Sequence, residues 1–196
     1  DSQWAGTEYW QHKVSRNPKK PISEHNGTVW LYADHGADRE YVGAPLKHVN
    51  PKGWVDSWRT PKYVYYLWQA NFSRTPMVHI QPHFWRSQYV GQKKLITVDS
   101  NCAKVELYVN GKKVGEKKPD ITNDFCVEFP DVAVERGTIE AVATHRNGTV
   151  VKDRVVMSGE PAALTIKLSA EKMMSTADNI VEFKVDIVDK DGVHVY

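Results

Sequence analysis

The sequence predicts a mainly β chain: a β-sandwich, preceded by a short α/β segment and followed by the first strands of a second β unit. Three observations predict it. All seven tryptophans lie before residue 86, at Trp4, Trp10, Trp30, Trp54, Trp58, Trp68 and Trp85, so composition changes sharply along the chain. From Pro76 on, apolar and polar residues alternate, the period of a half-buried strand. Asn110-Gly111 and Asn147-Gly148 supply hairpin turns, whose central positions need positive φ.

Trp4, Tyr9, Trp10 and Val14 are spaced as on a helix, and Asn17-Pro18 ends it because proline disfavours helix at the preceding residue. Gly27–Ala33 is a β-branched and aromatic run bounded by Gly and Asp, which predicts a buried strand. Asp34-His35-Gly36-Ala37-Asp38-Arg39 follows at its C-terminal end, where α/β barrels place active-site groups. Residues 40–52 read as loop. Thr60-Pro61 reads as an N-cap with proline at the first helical position, opening a helix to Phe72 with Val64, Leu67 and Trp68 on one face. Tyr63 and Tyr66 lie beside that face.

Strands are expected at 77–84, 93–99, 104–109, 124–129, 137–144 and 149–156. That density of short strands and turns predicts an immunoglobulin-like sandwich. Ser158–Pro161 is a linker. Strands at 163–169 and 180–189, with a turn at Asp191-Gly192, read as the opening of a second immunoglobulin-like unit. The expected boundaries are 1–74, 75–158 and 159–196.

Charge excludes some partners. The 26 basic and 24 acidic residues are interleaved, so no nucleic-acid footprint is expected. Lys112-Lys113 and Lys117-Lys118 flank a hairpin and read as a solvated edge that resists strand-to-strand aggregation. No apolar stretch approaches the ~20 residues of a membrane helix. With no initiating Met and no signal peptide, the chain reads as the interior of a longer protein. Its last residues have a strand pattern with no closing partner, which places the other end within a domain too. Cys102 and Cys126 fit either a disulfide or two buried thiols. Neither lies in a CxxC or Cys/His cluster, so no zinc or redox site is expected.

Glu24 could serve as a glycosidase nucleophile at a strand end, but no helix fits between it and the strand at Gly27, so it reads as a solvated loop residue. Asp34 and His35 read either as polar groups at a pocket mouth or as a loop cap with Asp34 facing Arg39. Trp30 is either a core aromatic or a platform for the apolar face of a sugar. His79 and His83 share a strand face, but no third metal ligand is evident, and an interdomain or exposed pair is the better reading. Asp34, His35, Asp38 and His48 lack any ligand-spacing signature. No metal or cofactor is expected. The sequons at Asn26, Asn71 and Asn147 are read as chance.

Four segments carry a resemblance. Gly53-Trp54-Val55-Asp56-Ser57-Trp58-Arg59-Thr60-Pro61-Lys62-Tyr63-Val64-Tyr65-Tyr66-Leu67-Trp68 resembles the end of the catalytic barrel in glycoside hydrolase family 2, with its "G-v-D-…-R-x-P-K-x-s-Y-Y" run. Pro76-Met77-Val78-His79-Ile80-Gln81-Pro82-His83 resembles the "P-M-V-H-I-x-P-H-W" opening of the sandwich that follows. Ser100–Lys112 resembles that sandwich's "S-N-c-x-x-V-E-L-f-l-N-G-k" segment, and Gly159-Glu160-Pro161-Ala162-Ala163 resembles the linker into a further module.

The resemblance implies that Gly27–Ala33 is the eighth strand of a TIM barrel and 60–72 its eighth helix. It also implies a retaining β-glycosidase, acting on β-galactosides or related β-glycosides of polysaccharides, whose two glutamates stand upstream of Asp1. Trp30 then matches the tryptophan lining the sugar site, with Asp34 and His35 beside it by position. The chain itself is expected to be inactive, its sandwich architectural and its source a secreted or periplasmic bacterial enzyme. The expected partners are an oligo- or polysaccharide and the missing part of its own barrel. A bare barrel surface would pack on the sandwich, self-associate or stay partly disordered. The rival is a non-catalytic carbohydrate-binding or adhesion module of tandem immunoglobulin-like domains. The scarcity of aromatic residues in 86–157 weighs against it.

Overall fold

The computed structural model describes residues 12–13, 15–16, 22, 31–37, 47–172 and 180–195. Its elements are β1 (His35–Gly36), β2 (Val49–Asn50), α1 (Tyr63–Phe72), β3 (Val78–Gln81), β4 (Lys93–Ser100) and β5 (Lys104–Val109). After these come β6 (Lys112–Lys117), β7 (Cys126–Ala133), β8 (Thr138–Thr144), β9 (Val150–Val156), β10 (Ala163–Leu168) and β11 (Phe183–Val188). The fold is mainly β, as expected.

Strands β3 to β9 form two antiparallel sheets, ordered β3-β4-β7 and β6-β5-β8-β9. The three strands stacked on four are an immunoglobulin-type sandwich. Period-two alternation builds its core. Ile80, Ile96, Val98, Val127 and Phe129 point inward from one sheet and Val105, Leu107, Ile139, Ala141, Ala143 and Val155 from the other. Each of the Val, Leu, Ile and Phe side chains contributes about 1.5–3 kcal/mol by leaving water. Trp85 joins this core, and its indole N–H donates to the Glu135 carbonyl at 2.7 Å.

All six expected sandwich strands form, β5 over the expected residues and the others with shifted ends. Pro82 has no N–H to extend the ladder, so β3 stops at Gln81. Strand β7 starts at Cys126 because Asp124 and Phe125 take positive φ after a capped turn at Asp120–Asn123. A seventh strand, β6, follows the Asn110-Gly111 turn and pairs with β5.

The helix begins later than Thr60-Pro61 implied. Its N-cap is Lys62, and no side chain caps it. Asp56 has taken the two groups concerned: its Oδ1 accepts from the Thr60 N–H at 2.8 Å, and its own N–H donates to the Thr60 carbonyl at 2.9 Å. Pro61 lies in a bridge to Val55. Val64, Leu67 and Ala70 are the buried face.

Of the strand expected at Gly27–Ala33, residues 27–30 lie outside the described residues; Ala33 makes a parallel bridge to Val55. Of the helix expected in 1–25, His12, Lys13 and Ser15 are helical, and Trp4, Tyr9, Trp10 and Val14 lie outside the described residues.

The outer face of β3-β4-β7 is also covered. Ile22, Leu67 and Cys126 form a second small core with Trp68 against it. Of the three outcomes expected for the first segment, packing on the sandwich is the one seen for its described residues.

Strands β10 and β11 form a two-stranded sheet, and Val188 at the end of β11 also bridges His194. Leu164, Ile166 and Leu168 stand opposite Ile187, Val185 and Phe183, and all six are exposed. The opposite face pairs Thr165 with Asp186 and Lys167 with Lys184.

Candidate functional site

The expected substrate-facing group is built around the bridge of Ala33 to Val55. Gly53 is required there. A Cβ on it would lie 2.2 Å from the Asp34 nitrogen and 2.5 Å from the Ala33 carbonyl carbon. This close approach lets Asp34 Oδ1 accept from the Gly53 N–H at 2.8 Å and from Lys62 Nζ at 2.7 Å. Lys62 also donates to the Pro51 carbonyl at 3.0 Å. Asp34 thus ties three stretches of chain together, and its carboxylate is largely buried. His35 differs: it is exposed on β1, with Nδ1 2.6 Å from the Gly36 carbonyl and Nε2 3.5 Å from Asn50 Nδ2.

Beside this brace the loop 56–60 is tightly tied. Asp56 Oδ1 accepts from the N–H of both Trp58 and Thr60 at 2.8 Å, and Arg59 sits at φ 72°. The loop presents Trp58 with 73% of its surface exposed. Behind it, Trp54 stacks on Trp68 at 4.7 Å and Trp68 on Phe72 at 5.2 Å. Glu24, Trp30 and Asp38 lie outside the described residues. His48 is exposed at φ 55° in the turn before β2.

The histidine pair sits between α1 and the sandwich. His79 is buried, stacked on Tyr66 at 3.5 Å and on His83 at 4.7 Å. Tyr63 accepts the His83 backbone N–H at 3.0 Å. The third group missed in the sequence is Asp153 on β9: Oδ1 lies 3.0 Å from His83 Nε2, and Oδ2 lies 3.5 Å from His79 Nδ1. Asp153 Oδ2 also accepts the Ile80 N–H at 2.7 Å. Burial, reinforced by His83, pushes the His79 imidazole down to about 4 despite Asp153 and Asp99. Burial raises the Asp153 carboxyl, but His83, His79 and the Ile80 N–H outweigh it and hold the group below its ordinary value. The two rings are within 11° of parallel. Two stacked imidazoles cannot both aim in-plane lone pairs at one ion, so this trio reads as a packed hydrogen-bonded seam.

A second cluster was also invisible in sequence. Register places His79, Asp99 and Cys126 in one row across three strands, with Gln81, Thr97 and Glu128 in the next. His12 meets this row from outside. Its Nε2 lies 3.1 Å from both Asp99 oxygens and 4.0 Å from Cys126 Sγ. Gln81 Nε2 donates to Asp99 Oδ2. Arg16 pairs with Glu128 at 3.0 Å, and Asp124 accepts the Ile22 N–H at 2.9 Å. Both cysteines are free thiols, which decides the open choice against a disulfide. Burial, with Asp99 beside it, pushes the Cys126 thiol well above its usual range. Asn71 donates inward to the Leu67 and Asp124 carbonyls, so its sequon is not presented.

The chain as a whole is similar to known proteins. Residues 91–152 match a family described as Domain of unknown function (DUF4982). A β-glucuronidase of Formosa agariphila is 32% identical over 190 residues, covering 94% of this chain and 18% of that protein. A solved structure described as a β-glucuronidase from glycoside hydrolase family 2 superposes with TM-score 0.69 at 32% identity, over 84% of this chain and 17% of that one. The chain matches a segment of family 2 glycoside hydrolases. A β-galactosidase of Bacteroides ovatus is 29% identical over 167 residues, covering 78% of this chain and 18% of that protein. A β-glycosidase structure from Bacteroides vulgatus shares the fold, with TM-score 0.72 over 83% of this chain at 23% identity. The chain spans about a fifth of the length of these relatives.

Proposed function

We propose that this chain is the shoulder of a retaining family 2 glycosidase that cleaves β-glucuronides, β-galactosides or related β-glycosides of polysaccharides. The observation that carries this reading is the 32% identity to a β-glucuronidase along 94% of the chain. In this reading residues 1–74 close the catalytic barrel, 75–158 form the bracing sandwich and 159–196 open a further immunoglobulin-like module. The bare apolar face of β10 and β11 supports the last assignment, because such a face needs a covering layer.

Retaining hydrolysis needs two carboxyl groups about 5 Å apart. Asp34 and Lys62 form an internal pair, and Asp56 caps its own loop, so neither carboxylate is free for that chemistry. By the family resemblance, both catalytic glutamates stand upstream of Asp1. This chain contributes the sugar-site rim: Trp30, the exposed His35, and Asp34 as the brace beneath it. Assay of this chain and of the full-length parent on aryl β-glucuronide and β-galactoside tests the reading. The parent should hydrolyse one of them and the chain neither. Hydrolysis by the chain above blank, lost in Glu24→Gln, would overturn it.

A further inference from the structure

The row of buried groups between His12 and the sandwich has an unusual feature. His12 Nε2 lies 3.1 Å from both Asp99 oxygens and 4.0 Å from Cys126 Sγ, whose thiol also hydrogen-bonds to Asp99. A ring nitrogen can donate one proton. His12 is 2% exposed, Asp99 0% and Cys126 1%, so no water competes from outside. The three ligand atoms lie within 4.8 Å of one another. Tetrahedral zinc, with bonds of about 2.0–2.3 Å, needs ligand-to-ligand edges of roughly 3.3–3.7 Å. The 3.1 and 4.0 Å separations bracket that span.

A second observation points to the same place. Gln81 is buried, its amide touches Asp99, and its Oε1 has no hydrogen-bond partner. Turned over and drawn back from Asp99, the amide offers that oxygen as a fourth ligand. Charge agrees. A divalent ion bound by one thiolate, one carboxylate and a neutral imidazole leaves no net charge in the buried site. Arg16 pairs with Glu128, and its charge also favours the Cys126 thiolate.

We propose that His12, Asp99 and Cys126, with Gln81, form a closed structural site for a zinc-class divalent ion, which staples the N-terminal segment to the outer face of the sandwich. The ligands come from residue 12, from β3, from β4 and from the first residue of β7. A closed site of this kind stabilises the fold and takes no part in catalysis. Binding requires deprotonation of Cys126, so uptake releases a proton from the thiol and weakens as pH falls.

The test uses the whole chain. It is equilibrated with zinc or cobalt(II), desalted and analysed for metal content and for the thiolate-to-cobalt absorption band. The expected result is one ion per chain and a clear band. Cys126→Ser and His12→Ala should each lower affinity by at least about 10-fold. Cys102→Ser, at the other buried thiol, should leave it unchanged. Absence of bound metal in the unsubstituted chain would overturn the proposal, as would a thiolate band that survives Cys126→Ser. Should that variant fail to fold, alkylation of the unsubstituted protein decides. Zinc must slow modification of Cys126 relative to Cys102, and equal slowing of both refutes the site.

Discussion

The two faces of the β3-β4-β7 sheet are buried to a similar degree by opposite chemistry. The inner face offers Ile80, Val98 and Val127 in one cross-strand row. The outer face offers His79, Asp99 and Cys126 in the adjacent row. The inner row holds the two sheets together without directional bonds, since apolar burial is insensitive to partner identity. The outer row is specific. It fits a partner carrying His12, Arg16 and the aromatic face of α1, and would be costly to leave bare. One sheet therefore both closes a core and docks a second segment.

The comparison can be broken from either side. Phe129→Ala should destabilise the sandwich most, by about 3–5 kcal/mol, because it leaves a cavity in the inner core. Chemical denaturation should show one transition at a lower midpoint. Asp99→Ala strips the outer face of its central acceptor and leaves His12 and Gln81 unpaired. A loss of about 3 kcal/mol is expected for the docked segment, with the sandwich transition little changed. Two resolved transitions in tryptophan fluorescence would report this.

Acid should act on the same face. The His79 imidazole is held near 4 in the fold against about 6.5 when unfolded. The fold thus binds fewer protons between those values. Its stabilisation is complete above about pH 6.5 and is lost as pH falls towards 4, by roughly 3 kcal/mol. Thermal midpoints at pH 7 and pH 4.5 measure the drop, and His79→Gln should flatten it. Gly53→Ala forces a Cβ against the Asp34 backbone and should cost about 1–3 kcal/mol. Its effect should appear as faster amide exchange in residues 49–62. Lys113, bonded to Glu106 and Glu116 at 2.6 and 2.7 Å on an exposed edge, marks the small end. Lys113→Ala should leave the denaturation midpoint unchanged, because solvent and salt screen such pairs.

The inner face was legible in sequence, and of the outer face only the His79 and His83 pair was. Alternation and the Asn110-Gly111 turn located the strands within a few residues, because strand period and turn conformation are local properties. The helix start misled, since Thr60 reads as a cap until Asp56 is known to hold its N–H. Asp153 reads as one more solvent-facing charge on an alternating strand, yet it turns to His83, 70 residues away. His12 and Asp99 are 87 residues apart, and no spacing rule joins them. Asp34 was singled out for following an expected strand, but its bond to Lys62 depends on how loop 49–62 folds back. Groups that meet across segments become visible only once the register of the sheet is known.

The most direct measurement of the docking account is hydrogen exchange, by mass spectrometry, on the unsubstituted chain and on Asp99→Ala. The account predicts loss of protection in α1, residues 63–72, while β5 and β8 keep theirs. Unchanged exchange in α1, or an equal loss across α1, β5 and β8, would contradict it.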